Sequence, residues 1–101
     1  MITITTYNCN SIKNNFENVQ TLTQEYDIIL LQELMLLKED IAIMKTINES
    51  FDCVSCVQDK SYDGILEGRP SRGVAIIWRK NLAKIITPVY CSDRIIGIVL
   101  T

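Results

Sequence analysis

The sequence predicts a mixed α/β fold, and three observations carry that prediction. Residues 2–7 alternate Ile and Thr before ending on Tyr7, residues 14–25 repeat apolar positions at helical spacing, and Asp27 is followed by the unbroken apolar run Ile28-Ile29-Leu30-Leu31. Strand, helix and strand thus follow one another, the second strand almost at once after the helix.

Taken in order, the first strand covers Ile2 to Tyr7, where strand-favouring residue types alternate. Asn8, Cys9, Asn10 and Ser11 break it. Phe16, Val19, Leu22 and Tyr26 sit on one face among Asn, Glu and Gln, which predicts an amphipathic helix from about Asn14 to Glu25. The run from Asp27 to Leu31 reads as a strand buried on both faces, ending abruptly on Gln32 and Glu33.

A second helix is marked by Leu37, Ile41, Met44 and Ile47, with Glu39 and Asp40 in its first turn, where the helix dipole favours acidic side chains. Phe51 to Val57 is a short strand, and Asp59 to Pro70 is a loop carrying the turn signals Asp63-Gly64 and Gly68-Arg69-Pro70. Gly73 to Trp78 is a further strand. Two last strands, Lys84 to Tyr90 and Arg94 to Leu100, flank the turn at Cys91-Ser92-Asp93.

Size and composition set bounds on this chain. With 101 residues, 48% hydrophobic and 22% charged, it makes one domain with a modest core. The net charge of −2 gives no global attraction to a polyanion, so any phosphate chemistry must be local. The apolar runs are too short to span a membrane, and Met1 leads into no secretion signal. Cys9, Cys53, Cys56 and Cys91 are expected as reduced thiols in an intracellular compartment.

If the first two strands are parallel neighbours, joined by a right-handed crossover, their carboxyl ends share one sheet edge. Asn8 and Glu33 then face one crevice, with Asn10 two residues on, and this all-oxygen set suits a hard divalent ion such as Mg²⁺. Two readings stand at this point. The residues hold a metal, or Asn8 and Asn10 are turn residues and Glu33 caps a helix or sits in solvent.

The stretches TTYNCNSI, DIILLQE, GRPSRGVAIIW and RIIGIVL, in this order, resemble the N-terminal portion of the endonuclease/exonuclease/phosphatase superfamily. Within it, the nearest likeness is to the apurinic-endonuclease-like domains of non-LTR retrotransposons. The resemblance implies the N-terminal half of a four-layer α/β sandwich with a mixed sheet, so that residues 1–101 form a partial domain lacking its C-terminal half. It also implies Mg²⁺-dependent phosphodiester hydrolysis, with Mn²⁺ as a substitute ion and nucleic acid, DNA above all, as partner. Asn8 and Glu33 take the positions of the family's catalytic metal-site residues, and Asn10 that of a supporting polar residue.

Arg69 and Arg72 are candidate phosphate contacts, although a pair of loop arginines is more often a solvated turn. The family's later motifs, an Asp-x-Asn pair and a terminal Ser-Asp-His, are absent, and the sequence has no His. The chain alone is therefore expected to be inactive, with an uncovered sheet face that needs the missing half or a partner surface. The alternative is a non-catalytic remnant or interaction module keeping the framework. A retroelement-like role would place the chain in the nucleus, and the substrate stays open among abasic DNA, DNA, RNA and a phosphorylated small molecule.

Three other motifs are read as structural. Cys53 and Cys56 offer two of the four ligands zinc needs, and on a strand they face opposite sides. Gly68 to Gly73 lacks the Gly-Lys-Ser/Thr ending of a nucleotide P-loop. Trp78 is expected as a core or interface aromatic.

Overall fold

The computed structural model describes residues 1–57, 73–91 and 96–101. β1 (Ile4–Asn8), β2 (Ile28–Gln32), β3 (Phe51–Cys56) and β4 (Val74–Arg79) form one sheet in the order β1-β2-β4-β3. β1 and β2 run parallel, while β4 is antiparallel to both β2 and β3. The sheet is therefore mixed. β5 (Ile86–Cys91) and β6 (Ile96–Leu100) make a separate antiparallel pair.

β2 and β4 occupy the middle of the sheet because their side chains are apolar on both faces. Ile29, Leu31, Ala75 and Ile77 point to one side, where α1 (Phe16–Glu25) packs through Val19, Phe16 and Leu22, with Tyr26 just past its end. Ile28, Ile76 and Trp78 point to the other, where Ile86, Ile96 and Ile98 of the β5–β6 pair cover them. The result is a helix layer, a sheet and a hairpin layer. Each isoleucine buried in this way contributes about 2 kcal/mol. An exposed ion pair such as Lys13–Asp40, 3.3 Å apart, contributes at most about 1 kcal/mol, so packing at β2 and β4 decides the fold.

Several sequence expectations shift. The first strand starts and ends later than Ile2–Tyr7, which makes Asn8 its last residue instead of a turn residue. α1 begins at Phe16, two residues inside the expected start. Lys38–Thr46 winds as a 3-10 helix and not as an α-helix. The steps of three from Ile41 to Met44 to Ile47 fit its three-residue turn, and its N-terminal flank, Leu37, is extended and provides no side-chain cap. Another 3-10 turn takes up Lys80–Ile85, so the expected strand from Lys84 begins at Ile86.

The stretch from Asp59 to Pro70 that the sequence reads as a loop, with Arg69, and Arg72 beyond it, lies outside the described residues. Cys56 is disulfide-bonded, while Cys9 and Cys53 are free thiols. This corrects the expectation of four reduced thiols, because tertiary packing and not sequence spacing decides which sulfurs approach. Cys53 packs into the helix-side core while its strand neighbour Val54 packs on the hairpin side, the alternation that keeps Cys53 and Cys56 apart. Trp78 is buried at 6% exposure, as expected, and its indole N–H has no hydrogen-bond partner among the described residues.

At the end of the sheet where β2 begins, Asp27 joins three segments. Its carboxylate accepts from the Thr3 N–H at 3.0 Å and from Arg79 Nε at 2.8 Å. Arg79 also donates to the Thr23 carbonyl at 3.0 Å and lies 5.1 Å from the centre of the Phe51 ring. These bonds hold Asp27 below the ordinary carboxyl value of 3.8, the Thr3 backbone N–H being the largest cause and Arg79 the next.

Candidate functional site

Asn8 lies opposite Gln32 in the parallel register, so the side chains of both belong to one face at the carboxyl edge of the sheet. Gln32 uses that face to donate to Thr6 Oγ1 at 2.7 Å. Glu33 is the next residue, and strict alternation would send it to the opposite face. It adopts φ +52° instead, a left-handed conformation that breaks the alternation, and Asn8 Nδ2 donates to Glu33 Oε2. The parallel pairing of β1 and β2 and this single backbone departure bring the two residues together.

The segment after Asn8 is shaped to match. Asn10 and Ser11 have φ +44° and +84°, and Met35 has φ +54°. Such values in non-glycine residues cluster where surrounding contacts over-determine the backbone. Here the Ser11 and Ile12 N–H groups donate to the carbonyls of Glu33 and Leu34 at 3.0 Å each, beyond the end of the regular strands. Ile12 and Leu34 are fully buried beneath, giving the two turns an apolar floor.

Asn10 enters through its backbone, its N–H donating to Asn8 Oδ1 at 3.0 Å. Asn8 is thus oriented at both ends of its amide. Cys9 is buried between the site residues, and burial first, then the charge of Glu33, pushes its thiol up to about 12. It stays a neutral thiol near neutral pH.

A third segment reaches the same edge. Leu34 N–H donates to the Gly73 carbonyl at 3.1 Å, and Gly73 holds φ +126°, where an added Cβ would stand 3.1 Å from the Leu34 Cβ. β3 ends and β4 begins at this edge, since Cys56 pairs with Val74 and Val74 with Gln32.

Asn8 and Glu33 are both exposed, and among the described residues no group of three or more His, Cys, Asp or Glu side chains could hold a metal ion. The pair offers one carboxylate, whose Oε1 remains for another partner, and one amide oxygen with a second lone pair. That donor set fits a hard ion bound by few protein oxygens and completed by water and phosphate, and does not fit an all-protein cage. Sequence reasoning named Asn8, Asn10 and Glu33, which the fold brings together. It missed Asn15, whose side-chain amide donates to the Cys9 carbonyl at 2.8 Å, and the only signal for it was its place just ahead of the helix.

A solved structure, that of the 3′ phosphatase NExo from Neisseria bound to a product DNA hairpin, superposes with a TM-score of 0.69 at 24% identity. The match covers 100% of this chain and 38% of that one, so the chain spans well under half the length of its structural neighbour. No curated protein matches the chain. A model of the endonuclease/exonuclease/phosphatase family matches residues 5–100, from the first strand of the sheet to the last strand of the hairpin, and the chain belongs to that family.

Proposed function

We propose that this chain supplies the metal-holding part of a Mg²⁺-dependent phosphodiesterase site of the endonuclease type, with nucleic acid as substrate. The observation that carries the reading is the hydrogen-bonded Asn8–Glu33 pair at the shared carboxyl edge of two parallel strands. The family supports the reaction class, and the DNA product bound by the neighbour NExo supports nucleic acid as the partner.

Glu33 provides the negative charge that attracts a divalent cation, Mg²⁺ or Mn²⁺, and Asn8 fixes the rotamer of that carboxylate while offering its own oxygen. The Asn10 N–H restrains Asn8 in turn, so little reorganisation accompanies binding. Bound there, the ion would stabilise charge on the phosphoryl and leaving oxygens during in-line attack by water. Turnover needs acid–base groups beyond these, so the chain alone binds the ion without cutting. A retrotransposon-type nuclease acting in the nucleus is the specific form of this reading.

Calorimetric titration of the purified chain with Mg²⁺ at low salt tests it. The wild type is expected to bind and Glu33→Gln to lose at least ~10-fold in affinity. No binding by a folded wild type would overturn the reading in favour of a non-catalytic module.

A further inference from the structure

Asn15 is the residue that precedes α1, a position where an Asn side chain normally accepts a hydrogen bond from the first turn of the helix. It makes no such cap. Its amide points back along the chain instead, donating to the Cys9 carbonyl at 2.8 Å, with the carbonyls of Asn10 and Ser11 at 3.4 and 3.5 Å. Those residues form the segment that leaves β1 with two consecutive positive φ values and carries the Asn10 N–H onto Asn8.

The amide is itself held from the far side. Asn18 Nδ2 donates to Asn15 Oδ1 at 3.2 Å and lies 3.2 Å from the Tyr7 hydroxyl. The Asn15 N–H reaches the Ser11 and Ile12 carbonyls at 3.2 and 3.3 Å. One side chain thus ties α1 to the strained turn, giving up the cap that the same side chain would otherwise form.

We infer that Asn15 is a positioning residue for the Asn8–Glu33 site, acting by clamping the 9–11 turn so that Asn8 presents its amide to Glu33. The inference rests on the proposed reading of that pair as a cation site. Its chemistry is specific to a donor: three carbonyl oxygens converge on the Asn15 amide, and a carboxylate in its place has no hydrogen to give them.

The variant Asn15→Asp separates this role from helix capping. Asp caps as well as Asn, and its charge favours the helix N-terminus, so the helix is retained or strengthened. The donors, however, are gone. An added negative charge near the site would tighten cation binding, so any weakening cannot come from charge.

The full chain is compared with Asn15→Asp by amide-resolved NMR without metal, then by calorimetry with Mg²⁺. The expected result is displaced or broadened resonances for Asn8, Asn10 and the Asn8 side-chain amide, an unchanged thermal midpoint, and Mg²⁺ binding weakened by roughly 10-fold. Unmoved site resonances with wild-type Mg²⁺ affinity would overturn the inference. If the wild type binds no Mg²⁺, the cation reading fails separately, and the metal-free resonances alone decide whether Asn15 clamps the turn.

Discussion

At the scale of single residues, one carboxylate serves the candidate site and another serves the fold. Asp27 is the fold's: depressed below 3.8 by Thr3 and Arg79, it contributes stability that is fully present above the unfolded carboxyl value and is lost as pH falls through its lower folded value. Urea melts of wild type and Asp27→Asn should therefore differ at pH 7 and converge as pH drops below 3.8, and a gap independent of pH would contradict this account. Glu33 was legible in the sequence, because a carboxylate directly after an apolar strand marks a sheet edge. Its φ of +52° was not, since nothing in Leu31-Gln32-Glu33-Leu34 announces a left-handed residue. Asn15 was hidden for a related reason: an Asn before a helix reads as a cap, and only the fold shows its amide turned to other carbonyls.

At the scale of elements, alternation, helical spacing and unbroken apolar runs located β1, α1, β2 and β4 to within two residues, β2 and β4 being apolar on both faces. The pattern failed at Lys38–Thr46, where i, i+3 spacing suits an α-helix and a 3-10 helix alike. The parallel pairing of β1 with β2 entered the sequence reading only as a condition, which the fold meets, while the antiparallel insertion of β4 between β2 and β3 depends on contacts distant in sequence. The junction of β2 with β4 yields a sharp expectation. Gly73 sits at φ +126° with Leu34 close by, so Gly73→Ala should destabilise the chain by about 1–3 kcal/mol in urea melts. A change near zero would mean that this edge of the sheet relaxes freely.

At the scale of the whole molecule, the described residues assemble two apolar clusters on opposite faces of one sheet, and the candidate site stands at the edge both share. Ile4 at 52% exposure and Val89 at 58% leave apolar surface uncovered on β1 and β5. Arg79 and Asp27 lock one end of the sheet, while Asn8, Glu33 and Gly73 converge at the other. That polarity gives the central claim its most direct test, the mapping of Mn²⁺ by paramagnetic broadening of backbone amide signals. The account predicts broadening at Asn8, Cys9, Asn10 and Leu34, none at Thr3, Asp27 or Arg79, and loss of the effect in Glu33→Gln. Broadening centred on Glu39 and Asp40, or a pattern unchanged by Glu33→Gln, would show that the Asn8–Glu33 pair is not where this chain holds a metal.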